Sequence, residues 1–246
     1  MKSILWTIVL VASLFVPAQS ADNPTAAKIK RVLLITGRDV PAHNWRETTP
    51  VLRELLEETK QFEVIVSEEP LVLESSALGG YDAILLNYKN WQRPSISNKA
   101  RENLLAFVKG GKGLVVYHFS VSAFEDWPEY RNLVGRIWTK GSGHGPRGPY
   151  KVKVVEKDHP ITKGTTDFEA DDELYAKLVG DASIKVLVEA DSEWSKQTEP
   201  LVWTLNYGKG RVFSIMLGHD VKACRNPDFV RLLQHGMEWA TQTDVK

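Results

Sequence analysis

Histidines set the first question, because imidazole is the side chain best suited to proton transfer near neutral pH and to ligating a divalent metal. Of the six in the chain, three fall where an apolar, strand-like run ends. His43 lies in the loop after Arg31–Thr36, His118 closes Leu114–His118, and His219 follows Phe213–Gly218. A fourth, His144, sits in the glycine-rich segment Gly141–Gly148, which reads as a lid over a pocket or as a plain connection. An acidic stretch, Glu169 to Glu173, supplies carboxylates; for Asp171 and Asp172 the expected role is only a solvated loop. Two histidines and a carboxylate suit either general acid/base catalysis or a divalent cation with an open coordination position. Sequence spacing does not choose between them, since neither HExxH nor a CxxC pair fixes a geometry. A hydrogen-bonded structural role for each single histidine is the competing reading. Trp45, Trp91, Trp127, Trp138 and Trp203 are numerous enough for one or two to line a sugar site, although most tryptophans of a domain belong to its core.

The elements that must position these residues alternate. Arg31–Thr36 is an apolar run of strand length ended by Gly37, as expected of a parallel strand buried on both faces. A helix is predicted from Thr49, as N-cap, and Pro50 at its first position, with Val51, Leu52, Leu55 and Leu56 on one face. Strands follow over Phe62–Val66, Tyr81–Asn87 and Leu114–His118, with a helix over Ser97–Lys109 stopped by Gly110 and Gly111. The C-terminal half is richer in strands: Tyr150–Val155, Ile184–Val188, Leu201–Asn206 and Arg211–Met216, the last two joined by a turn at Tyr207–Gly210, before a helix from Pro227 to Thr241. The pattern predicts an α/β fold with a doubly wound, mostly parallel sheet flanked by helices and strands added in its C-terminal half. In such a sheet ligands sit beyond the carboxyl ends of the strands, where His118 and His219 would face one crevice.

Met1–Ser3, the apolar run Ile4–Val16 and the small residues Ala18 and Ser20 read as a secretory signal peptide over residues 1–20, with a retained N-terminal anchor as the alternative. Export to the periplasm or beyond is the expectation. The remainder suits one domain. Over the whole chain 31 basic residues balance 31 acidic ones, without blocks of like charge, so nothing recommends nucleic acid or an anionic membrane as a partner. A small neutral ligand fits better; the oligomeric state is not readable. Cys224, the single cysteine, has no internal disulfide partner.

Eight segments in order carry a resemblance: Gly113-Leu-Val-Val-Tyr-His118, Tyr130-Arg-Asn-Leu-Val-Gly135, Asp158-His-Pro-Ile-Thr162, Asp172-Glu-Leu-Tyr175, Pro200-Leu-Val-Trp203, Gly208-Lys-Gly-Arg-Val-Phe213, Leu217-Gly-His-Asp220 and Gly236-Met-Glu-Trp-Ala240. Together they resemble the ThuA-like, or trehalose-utilisation, family over about Arg31–Ala240, a branch of the class I glutamine amidotransferase-like (flavodoxin-like) fold. Amidotransferases of this fold carry a nucleophilic cysteine at a glycine-flanked elbow. Here the matching point is Tyr117-His118-Phe119-Ser120-Val121, so thiol chemistry is excluded there and Ser120 lacks the elbow that would activate it. The resemblance implies a site of His118, Glu173, His219 and Tyr175 as catalytic groups. Around them it places His43, Trp45, His144 and Asp220 as substrate contacts, with a divalent metal such as zinc on His118 and His219 if a cofactor is used at all. It further implies disaccharide catabolism and 3-keto sugars, whose carbonyl acidifies the neighbouring C–H bonds and so invites isomerisation, epimerisation or elimination. Two other readings stay open: a carbohydrate-binding domain without turnover, and a metal-dependent hydrolase of another small polar substrate.

Overall fold

Val32, Leu33, Leu34 and Ile35 are all fully buried, as a strand covered on both faces must be. They form the centre of β1 (Lys30–Ile35). The computed structural model describes residues 28–242, so the signal-peptide reading lies outside the described residues. After β1 come α1 (Trp45–Glu57), β2 (Phe62–Ser67), two short 3-10 turns, β3 (Ala83–Leu86), α2 (Asn98–Lys109), β4 (Gly113–Tyr117) and α3 (Pro128–Val134). The second half holds β5 (Gly143–His144), β6 (Gly148–Val154), β7 (Phe168–Asp172), β8 (Tyr175–Ala176), β9 (Lys185–Ser192), β10 (Gln197–Tyr207) and β11 (Gly210–Ile215). The helices α4 (Val221–Cys224) and α5 (Pro227–Ala240) end it.

Among the described residues, nine strands make one sheet in the order β2-β1-β3-β4-β11-β10-β9-β6-β7. β2, β1, β3, β4 and β11 run parallel, and β10, β9, β6 and β7 extend the sheet antiparallel. The placement of β11 matters most for function. Although nearly a hundred residues separate them, β4 and β11 are parallel neighbours with Tyr117 paired to Ile215. The residues that follow each strand, His118 and the Met216–His219 turn, therefore emerge side by side at the carboxyl edge.

Two expectations are corrected. The helix α1 begins at Trp45, not at Thr49, and Pro50 lies inside it. Its opening amides, those of Glu47 and Thr48, bond to the Asn44 carbonyl. Thr49 does not cap: its hydroxyl bonds Thr36 at 3.2 Å and accepts from Asn87 Nδ2 at 2.9 Å, in a buried polar knot at the ends of β1 and β3. The acidic stretch is likewise no solvated loop. Phe168, Ala170 and Asp172 alternate inward along β7, leaving Asp172 buried at 2 % exposure and Glu173 at 8 %. Asp171, on the other face, keeps the expected solvent role and pairs with Lys222. The predicted helix over Ser97–Lys109 is present as α2, and Ser97 caps it, its Oγ accepting from the Ala100 amide at 3.1 Å.

Candidate functional site

His118 is the first residue beyond β4. Its backbone is left-handed (φ 43°), a conformation costly for a residue with a Cβ. The ring is fully buried, and Nδ1 lies 2.6 Å from the Met216 carbonyl. A carbonyl only accepts, so Nδ1 carries the proton and Nε2 turns its lone pair into the site. Nε2 stands 3.6 Å from Glu173 Oε2 and has no hydrogen-bond partner.

Glu173 and His219 are brought to it by Asp172. The Asp172 carboxylate accepts from the amides of Gly218 (2.6 Å), His219 (3.1 Å) and Glu173 (2.8 Å), tying the turn after β11 to the end of β7. Gly218 makes this turn possible: its φ is 100°, and a Cβ there would come within 2.6 Å of the Tyr117 ring and 2.8 Å of the Phe229 ring. His219 Nδ1 then lies 3.0 Å from Glu173 Oε2, though off the line of a good hydrogen bond. His43 completes the group from the loop after β1. Its ring stacks on Phe119 at 4.5 Å and meets those of His118 and His219 edge-on at 5.1 and 5.0 Å. One ligand atom from each of His43, His118, Glu173 and His219 lies within 4.8 Å of the others.

Burial holds the His43 imidazole neutral, its pKa lowered to about 2, helped by repulsion from His118 and His219. For Glu173 burial acts in the opposite sense, favouring the acid, but His118 and His219 outweigh it and keep the carboxyl well below the usual range. The Glu173 carboxylate in turn raises His219. Burial pushes the Tyr175 phenol far up; its hydroxyl lies 3.3 Å from His43 Nε2 and its ring stacks on His118 at 4.4 Å.

The donor set fits a divalent cation. Ring nitrogens of His43, His118 and His219 are buried without an aligned partner, an arrangement that folded proteins avoid unless a ligand completes it. Three imidazoles with one carboxylate are donors of the kind zinc takes, and the Met216 carbonyl behind His118 is the outer contact that orients a ligating ring.

Above this group opens a pocket of about 380 Å3, with Val40, Lys89, Trp91, Phe119, Trp138 and His144 in its wall. His144 is held by the pairing of β5 with β8, which sets it opposite Tyr175. The glycine-rich segment is thus pinned rather than a free connection, and His144 Nε2 comes within 3.6 Å of Glu173 Oε1. Of the residues singled out in the sequence, the structure gathers His43, His118, His144, Glu173, Tyr175 and His219 around this pocket. Trp45 and Asp220 lie apart from this group. Trp45 is buried, donating from Nε1 to Asp39 at 2.8 Å. Asp220 caps α4 through the Ala223 amide and pairs with Arg147 at 2.9 Å. Neither lines the pocket, because α1 begins before Trp45 has left the first turn and because the start of α4 claims Asp220. Lys89 and Asp172 were missed: Lys89 carries no sequence signal, whereas the alternation through Phe168 and Ala170 was readable. Ser120 bonds the Leu86 carbonyl and the Tyr88 amide and is fully buried, so no nucleophile is exposed at the former elbow.

A family model described as "ThuA: Trehalose utilisation" matches residues 31–240. The chain belongs to the ThuA family. A ThuA-like protein from Parabacteroides merdae is similar at 28 % identity, covering 89 % of this chain and 92 % of its own, with a TM-score of 0.78. A ThuA-like protein from Bacteroides uniformis shares 19 % identity over 92 % of this chain and 96 % of its own (TM-score 0.72). The cytoplasmic protein STM3548 from Salmonella typhimurium shares 14 % over 86 % and 99 % (TM-score 0.62), a likeness of fold alone. Among curated proteins none matches. ThuA membership accounts for a large sheet with a parallel core, of amidotransferase-like type, without the amidotransferase thiol: Cys224 is buried under Tyr117, its pKa raised to about 12 by burial.

Proposed function

We propose that this ThuA-family protein is an exported enzyme of carbohydrate breakdown that performs metal-assisted acid/base chemistry on a sugar or 3-keto-sugar glycoside. The observation that carries the reading is the convergence of His43, His118, Glu173 and His219 within 4.8 Å beneath an aromatic-walled pocket. These four residues would hold the cation, extending the His118–His219 pair that the sequence suggests. A divalent ion such as zinc held there would supply Lewis acidity toward a ketone or hydroxyl oxygen of the substrate.

The chain's own groups do the rest. His144 is the most open of the imidazoles, its side chain 36 % exposed, and its Nδ1 is 2.7 Å from the Gly145 carbonyl. Nδ1 therefore holds a proton and Nε2 is free to accept one from the carbon beside a keto group. Tyr175, protonated throughout the working range, donates a hydrogen bond from the strand paired with that of His144. Trp91 and Trp138 offer faces on which a pyranose ring packs. The same aromatic wall would also serve a carbohydrate-binding domain without turnover. Export rests on the apolar run Ile4–Val16 with Ala18 and Ser20 after it.

One experiment separates these readings. Untagged protein and a His118→Ala, His219→Ala variant are assayed for bound divalent metal by mass spectrometry and for turnover of 3-keto glycosides. Near-stoichiometric metal and turnover, both lost in the variant, are expected. Sugar binding without turnover in metal-loaded wild type would sink the enzyme reading and leave a binding domain.

A further inference from the structure

Trp91 belongs to two cavities. It lines the histidine pocket and, with Gly37, Arg38, Asp39, Gln92 and Arg93, also bounds a second hollow of about 450 Å3. The turn presenting Trp91 is braced. The Asn90 amide bonds the Ala123 carbonyl at 3.0 Å, its side chain donates to the carbonyls of Arg93 (3.1 Å) and Pro94 (2.9 Å), and it accepts from Tyr88. The left-handed backbone of Gln92 (φ 50°) is held by this clamp. The partition is therefore a fixed feature, standing between two hollows each large enough for a sugar ring.

The second hollow differs in charge. Asp39 is committed to Arg46 and to Trp45 Nε1, and Arg38 reaches Glu69 at 3.5 Å while its Nε is buried without a partner. Arg93 has no ion pair among the described residues. Pairing thus leaves one guanidinium uncompensated beside a second with an unused donor, and guanidinium forks match carboxylate and phosphate geometry. We propose that the hollow is a second subsite, in which Arg38 and Arg93 bind an oxyanion carried by the second unit of a two-unit substrate that bends over Trp91. The inference rests on the proposed sugar chemistry for its first unit and narrows the substrate class to acidic or phosphorylated disaccharides and glycosides.

Binding to the full chain, measured by calorimetry, is compared within two matched pairs: lactose with lactobionate, and trehalose with trehalose 6-phosphate. The expected result is a preference of at least about tenfold for the anionic member of one pair. The preference should fall to near unity in Arg93→Gln and Arg38→Gln, and weaken with added salt, while unchanged thermal melting shows that the variants are folded. The pair that responds tells carboxylate from phosphate. Equal affinity within both pairs, no binding of any of the four, or a preference that survives both substitutions would overturn the subsite. The His118→Ala, His219→Ala variant separates this from the parent reading. An arginine-dependent preference that persists there, in a wild type without turnover, rejects the enzyme and keeps the subsite. Turnover without any arginine dependence does the reverse.

Discussion

Asp172 shows how much one carboxylate can organise. It does not line the histidine pocket, yet three amides converge on it, two of them those of Glu173 and His219 themselves. Asp172→Ala leaves these buried donors unpaired, at a cost of about 2–4 kcal/mol in stability, and should lower metal affinity about 10–100-fold. Asp172→Asn, which retains an acceptor oxygen, should fall between; denaturant titration and metal competition read the two effects. Cys224 makes a contrasting case. Its thiol, held near 12 by burial and packed against Tyr117 and the Gly218 carbonyl, should not react with a thiol reagent at pH 8 in the native state. A full equivalent should react in denaturant; native reactivity would show that the Gly218 turn opens.

At the scale of elements, two contacts decide how the site is framed. The hairpin between β9 and β10 places Trp194 behind β5, and a Cβ at Gly143 would come within 2.6 Å of its indole. Gly143→Ala should push β5 from β8, costing about 1–3 kcal/mol and displacing His144. A loss of stability with unchanged turnover by the folded protein would remove His144 from the chemistry, whereas turnover lowered by about tenfold or more in folded protein supports it. The second contact is the docking of α5 on the turn Pro160–Thr162. His235 Nδ1 lies 3.2 Å from the Ile161 carbonyl, and His159 Nδ1 accepts the Ile161 amide at 3.2 Å. Burial depresses both imidazoles, against Glu238 and with Arg231 and Lys163 for His235, and with Lys185 and Arg211 against Glu156 for His159. The unfolded chain therefore binds protons first as pH drops below about 6.5, so these groups make stability fall on acidification and leave it unaffected above that pH. His159→Asn keeps an acceptor for the Ile161 amide but cannot titrate; its urea midpoint should decline less between pH 6.5 and 5 than that of wild type.

For the whole molecule, sequence and structure agree where the sheet dictates pattern. Buried parallel strands must be apolar throughout, so β1, β3 and β4 are plain in the sequence, and the rule that ligands gather at parallel carboxyl ends points to one crevice for His118 and His219. What stayed hidden was long-range. Nothing local says that β11 inserts beside β4, that Asp172 would be claimed by two amides of a distant turn, or that Trp45 would face inward beneath the Arg38–Asp39 loop. The site thus joins segments that follow β1, β4, β7 and β11, tied in part by Asp172 and by the His118–Met216 contact, and a cation bridging them would act as a further staple on the fold. A ligand that binds only the native state stabilises it by RT ln(1 + [L]/Kd), about 4 kcal/mol at a thousandfold excess over Kd. For a domain of this size that corresponds to a rise in Tm of about 8–16 °C. Zinc added to chelator-stripped protein should produce that rise, and the His118→Ala, His219→Ala variant should melt at the same temperature with or without it. A stripped wild type that melts unchanged on adding zinc, manganese or cobalt would mean that the three imidazoles and Glu173 satisfy one another by sharing protons, and the cation would leave the mechanism.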